Sequence, residues 1–170
     1  MGAEHTSVPR WSDEVPVPDP AARALLLLGL GARGCAITTA WAADVPAGRA
    51  VEVLAADDAD AGVLEVLAAR VAAASVGWRL MLAGPEADVL AARAVAVREG
   101  LLDAELRIAV TSTARKQVYC PHCRTTTSTT APVAGETPCG GCGRRLHVYG
   151  HVSRRTGAYL GFMADAEEVA

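Results

Sequence analysis

Cys120-Pro-His-Cys123 and Cys139-Gly-Gly-Cys142 place four thiols in two Cys-x-x-Cys pairs, fifteen residues apart. That spacing is the pattern of a four-cysteine metal site. Each pair suits a tight turn that aims two sulfurs at one ion. Four thiolates around Zn²⁺ close a tetrahedron and leave no position for water, so the chemistry indicated is structural rather than catalytic. Gly140, Gly141 and Gly143 suit a turn that crowds the backbone and can demand positive φ. Two other chemistries use the same residues. A pair of disulfides would call for an oxidising compartment, and a rubredoxin-type iron also sits on two cysteine knuckles. His122 and His147 lie close enough to replace a thiolate; with four cysteines already spaced for one ion, they are expected as surface or strand residues.

The elements that must hold these thiols are short strands. Gln117-Val-Tyr119 leads in, Thr125 to Thr130 is β-prone, 131–137 is turn-rich, and Arg145-Leu-His-Val-Tyr149 leads out. Hairpins pinned by two cysteine knuckles make a zinc ribbon, assigned to 114–152. A unit of about 40 residues is too small for a self-sufficient core, so the metal must stabilise it.

The segment before the ribbon alternates strands and helices, and this predicts a small parallel-sheet α/β domain over 21–113. Ala24 to Leu28 reads as a buried strand, with a short helix as the alternative, and is followed by strands at 50–54, Trp78 to Ala83 and Leu106 to Val110. Asp60 to Ala74 and Ala87 to Arg98 carry helical apolar spacing, with Pro85 opening the second helix and Gly100 ending it. Gly29-Leu-Gly31-Ala-Arg-Gly34 is a literal G-x-G-x-x-G, which makes Gly29, Gly31 and Gly34 candidate cofactor-binding residues around a pyrophosphate. Asp57 and Asp58 follow the next strand, where a ribose-binding acid could sit. The alternative is a tight strand-to-helix turn with no ligand. The helix after Gly34 is expected to be short, because Ile37, Thr38 and Thr39 are β-branched and Pro46 follows. Cys35 has no sequence partner and reads as a small buried residue.

Residues 1–20, with Pro9, Pro16, Pro18 and Pro20, read as an extended or disordered arm, whose Trp11 could anchor it to a partner or to its own domain. Residues 153–170 read as a C-terminal docking tail, with Arg154, Arg155, Tyr159 and Phe162 as candidate contacts for a partner. An Arg fork can hold a carboxylate or phosphate, or can pair with the acidic domain of its own chain. The net charge of −3 hides an asymmetry. Residues 1–114 hold nine Arg and fifteen Asp/Glu, whereas 115–155 hold seven Arg/Lys and one Glu. A basic ribbon implies an acidic partner or an anionic ligand, or charge balance within one molecule. The N-terminus lacks the basic and apolar regions of a signal peptide, and no apolar run is long enough to span a bilayer. The expectation is a soluble cytoplasmic protein. A nucleic-acid-binding ribbon is disfavoured because Tyr119 and Tyr149 are few for base stacking and the rest of the chain is acidic. No Ser/His/Asp or Cys/His catalytic arrangement is readable.

The stretch from Val118-Tyr-Cys-Pro-His-Cys123 through Cys139-Gly-Gly-Cys142-Gly-Arg to His151-Val-Ser-Arg-Arg155 and Ala158-Tyr-Leu-Gly161 resembles the dimethylamine monooxygenase subunit DmmA family. Gly77-Trp-Arg-Leu-Met-Leu-Ala-Gly-Pro-Glu86 and Thr111-Ser-Thr-Ala-Arg115 share the likeness, which covers residues 77–168. The resemblance implies a non-catalytic subunit of a multi-component bacterial amine monooxygenase, a hetero-oligomer of amine catabolism. That enzyme carries out oxidative N-demethylation of a secondary amine with O₂ and NADPH. Haem, flavin, iron–sulfur centres and NADPH would then belong mainly to partner subunits. A second likeness joins Leu82-Ala-Gly-Pro85, a helix, Gly100 and Leu106-Arg-Ile108 to the nicotinamide-binding domain of ferredoxin reductases. Ala83 stands where many of those enzymes carry a cysteine, and no flavin-binding barrel precedes the segment, which implies a domain kept for docking. The alternative function is an electron-transfer component, with iron in the four-cysteine site or nicotinamide at the glycine turn.

Overall fold

The computed structural model describes residues 7–165. Residues 1–6 of the arm, and Glu167 and Glu168 of the acidic end, lie outside the described residues. Four strands, β1 (Ala24–Leu30), β2 (Ala50–Ala56), β3 (Trp78–Pro85) and β4 (Leu106–Ser112), form a fully parallel sheet in the order β2-β1-β3-β4. Helices α1 (Gly31–Asp44), α2 (Ala61–Ala72) and α3 (Glu86–Arg98) make the crossovers. The continuous apolar run of β1 follows from burial on both faces of the sheet. Leu26, Leu28 and Leu30 pack with Leu67 and Val71 of α2 and Val89, Ala92 and Val95 of α3. Leu25 and Leu27 point the other way, to Trp41 of α1 with Met81, Ala83 and Ala109.

The helix after the glycine run is a correction to the sequence reading: α1 is a full helix of 14 residues. Its β-branched threonines fit because their hydroxyls bond back to the Cys35 carbonyl, at 3.0 Å from Thr38 and 2.9 Å from Thr39. α2 starts where expected, with Asp60 capping the Val63 amide at 2.8 Å.

The chain then builds a second sheet of five strands in the order β6-β5-β9-β8-β7. These are β5 (Lys116–Tyr119), β6 (Thr126–Thr129), β7 (Glu136–Pro138), β8 (Arg145–Ser153) and β9 (Ala158–Met163). β9 lies between β5, to which it is parallel, and β8, to which it is antiparallel. Residues 158–163 are therefore a central strand of the ribbon sheet and not a separate tail. Val118, Leu146, Val148, Val152 and Tyr159 make the ribbon core, and Leu90 of α3 inserts into it. Gly157 (φ +64°) sits at the junction: a Cβ there would lie 2.7 Å from the Leu90 carbonyl carbon and nearer still to its oxygen. The arm is not free in the described part. The Trp41 indole donates to the Pro16 carbonyl at 2.7 Å and Arg49 to the Pro20 carbonyl at 2.7 Å.

Candidate metal centre

The two knuckles are copies of one turn. The Arg124 amide donates to the Cys120 carbonyl at 2.8 Å, and the Gly143 amide to the Cys139 carbonyl at 2.9 Å. The Cys120 amide reaches the Thr125 carbonyl at 2.9 Å, as the Cys139 amide reaches the Arg144 carbonyl at 2.8 Å. The residue after the second cysteine is left-handed in both, Arg124 at φ 64° and Gly143 at φ 72°. Gly141 is required by space, since a Cβ there would meet the Thr125 Cβ at 2.9 Å and the Cys123 Sγ at 3.0 Å.

These turns bring Cys120, Cys123, Cys139 and Cys142 together with all four sulfurs within 4.8 Å of one another. Across the knuckles, Cys120 Sγ lies 3.8 Å from Cys142 Sγ and Cys123 Sγ lies 3.5 Å from Cys139 Sγ. A tetrahedron with zinc–sulfur bonds of about 2.3 Å has edges of about 3.8 Å, so the sulfurs fit one such ion. They are too far apart for disulfides, whose sulfurs sit at about 2.05 Å, and all are free thiols. His147 is turned away from the cluster, its ring 4.8 Å from that of Phe162.

The cluster is charged unevenly in advance of a cation. Amides of Cys142 and Gly141 point at Cys139 and hold its thiol down at about 6. The Thr125 hydroxyl and amide lower Cys123. Cys142 feels an Arg144 amide that lowers it, yet burial and the three neighbouring sulfurs push it up to about 11. Titrating zinc into metal-free protein at pH 7 should therefore release protons, and fewer than four per ion because Cys139 is already ionised. Indicator dye in weak buffer reads this. A proton-neutral uptake would mean that the cysteines are not the ligands.

The ribbon is tied to the α/β domain at a point that residue spacing did not reveal. Glu86, the first residue of α3, is 2% exposed. Its Oε1 accepts from the Trp11 indole at 2.8 Å and from the Tyr159 hydroxyl at 3.1 Å. Its Oε2 is buried without a partner among the described residues. Arm, helix and ribbon meet on this one carboxylate, 75 residues from Trp11 and 73 from Tyr159 in sequence. Burial, with the Glu86 carboxylate beside it, drives the Tyr159 phenol well above its usual range. Asp88, 5% exposed, pairs with Arg115 of the ribbon lead-in and accepts the Ala59 amide at 3.3 Å.

The other candidates fall as follows. Tyr159, expected on a docking surface, is 2% exposed and faces its own domain, because the register of β9 turns it into the ribbon core. Phe162, on the opposite face of the same strand, is 42% exposed and packs on Tyr149, itself 52% exposed. Arg154 meets Asp103 at 3.5 Å, and Arg155 is exposed. Gly29 lies within β1, where a Cβ would strike Cys35 Cα at 2.8 Å. Gly31 opens α1 at φ +69°, and Gly34 lies directly on the Ala83 carbonyl. Two of the three glycines thus serve close packing of α1 on β1 and β3. The arm crosses this end of the sheet, with residues 11–15 facing Arg33 of α1 and residues 109–113 of β4 and its exit. Cys35 is partly buried, its Sγ 3.5 Å from the Gly29 carbonyl. No helix among the described residues is long and apolar enough to cross a membrane.

Residues 117–162 match the family described as "Dimethylamine monooxygenase subunit DmmA-like, C-terminal domain". The chain is also similar to the "Heme-dependent oxidative N-demethylase delta subunit" of Ectopseudomonas mendocina (strain ymp), 41% identical over 103 residues. That match covers 61% of this chain and 58% of the relative, so it spans under three-fifths of the relative's own length. No solved structure matches the chain.

Proposed function

We propose that this chain is an accessory, non-catalytic subunit of a multi-component, haem-dependent oxidative N-demethylase acting on a dimethylamine-type secondary amine. The observation that carries the reading is the cluster of four cysteines, closed by its own geometry and set within a domain that matches DmmA-like C-terminal domains. The cluster holds zinc. Four thiolates complete the coordination of the ion and leave no open position for substrate or oxygen. Haem, flavin, iron–sulfur and nicotinamide chemistry then belong to partner subunits in the cytoplasm. The glycine run and the arm laid across the end of the sheet support a docking scaffold over a nicotinamide site.

The docking surface lies on the outward face of the ribbon sheet. Phe162 packs against His147 at 4.8 Å and Tyr149 at 5.8 Å between ring centroids. Arg144, Arg145 and Arg155 lie among the exposed residues of the ribbon. An aromatic centre with a cationic surround suits an acidic partner surface. Co-purification of the tagged chain with the haem subunit tests the reading: the two should elute together with a Soret band. Phe162→Ala with Arg155→Ala should weaken that recovery, at about 1–4 kcal/mol per lost anchor, while metal content stays native. Native protein that fails to retain the haem subunit would sink the accessory-subunit reading. Tight binding of single-stranded oligonucleotide instead would favour a nucleic-acid ribbon.

A further inference from the structure

A cleft of about 360 Å³ opens where the arm, α3 and the ribbon meet. Arg10 and Trp11 of the arm, Leu90 and Arg93 of α3, and Val152 and Arg154 of the ribbon line it; among the described residues, three arginines and no acid line the cleft. The Arg93 side chain is only 16% exposed, so its guanidinium is held rather than loose in solvent. Arg93 and Arg154 share a single carboxylate, Asp103, at 2.6 Å and 3.5 Å. Each guanidinium carries five N–H donors in a rigid fork, and one carboxylate cannot occupy two forks. Apolar lining comes from Leu90 and Val152, which belong to the ribbon core, and from Trp11, which packs against it.

Arginines beside apolar side chains, at a seam between structural units, have the form of a small-molecule site with one charged group to orient it. We propose that this cleft binds a small organic anion. Its carboxylate or phosphate lies between Arg93 and Arg154, and its hydrocarbon part lies on Leu90, Val152 and the Trp11 indole. The site is separate from the four cysteines and does not depend on what the ribbon docks against. Because the cleft has walls from all three parts of the chain, an occupant would tie the arm and the ribbon to α3.

Calorimetric titration of the full chain tests this with four probes: hexanoate, hexyl phosphate, inorganic phosphate and hexylammonium. One or both hexyl anions should bind, more tightly than inorganic phosphate, and hexylammonium should not bind. The stronger of the two anions identifies the headgroup. Arg93→Ala should weaken binding about tenfold, the loss expected for one charge-assisted contact. Arg154→Ala should do the same, and with its side chain 78% exposed it carries little risk to folding. Trp11 fluorescence should change with the bound anion and stay silent with hexylammonium. No heat from either hexyl anion, equal binding of hexylammonium, or native affinity in both arginine variants would each overturn the proposal.

Discussion

Cys120→Ser or Cys139→Ser should unfold residues 116–163 while the four-stranded parallel sheet survives. Both sulfurs are buried within the ribbon core, and the sheet around them is held by strands of three to nine residues. In zinc domains of this size the metal contributes on the order of 10 kcal/mol to folding, far more than so small a core supplies. The parallel sheet has two apolar clusters of its own, one on each face, and neither includes a ribbon residue. The loss should nonetheless be felt across the seam. Leu90 would lose its ribbon contacts and Glu86 its bond from Tyr159. Exposure of one leucine costs about 1.5–3 kcal/mol, enough to loosen α3 and the Trp11 contact without unfolding the domain. Segment-resolved hydrogen exchange on the serine variants reads this directly. Protection should vanish in 116–163, weaken at 86–93 and at the arm, and persist in β1 and β3. Simultaneous loss from β1 would show that the two sheets form one cooperative unit.

Gly34→Val should destabilise the α/β domain by about 3 kcal/mol or more, at the upper end of overpacking costs. The new Cβ would lie 2.9 Å from the Ala83 carbonyl carbon and nearer still to its oxygen, with Gly84 Cα at 3.2 Å. Every one of those atoms is backbone, so no side chain can swing aside, and α1 would have to lift off β3. Gly62→Ala is the control. It sits in the first turn of α2, where a Cβ meets nothing closer than the Asp60 carboxylate at 3.4 Å, and it should be neutral or stabilising by up to about 1 kcal/mol. Denaturant midpoints of the two variants test whether the packing of α1 on β3 requires Gly34. An unchanged midpoint for Gly34→Val would show that it does not.

Local pattern carried the parts of this structure that local forces decide. Two Cys-x-x-Cys turns form within five residues each, so their spacing alone located the cluster. The leucines of β1 and the apolar spacing of α2 and α3 report burial that each element imposes by its own geometry. The length of α1 was not legible from propensity, because Ile37, Thr38 and Thr39 weigh against a helix until the Cys35 carbonyl takes up both hydroxyls. The fate of Ala158 to Met163 was not legible either. A strand of alternating residues shows its period and not which face is buried. Pairing with β5, 41 residues earlier in the register of Val118 with Tyr159, turned Tyr159 inward and left Phe162 outside. The Glu86 junction joins segments more than seventy residues apart, and its one local trace is an acid opening a helix after Gly-Pro, a common placement for helix-dipole reasons alone.

Zinc in a closed structural site would separate an accessory subunit from an electron-transfer component. Elemental analysis with an absorption spectrum of the purified chain is the direct measurement. The purified chain should hold about one zinc and show no visible bands, since Zn²⁺ has a filled d shell and no redox chemistry. A red protein holding one iron, with thiolate-to-iron charge-transfer bands that bleach on reduction, would contradict it.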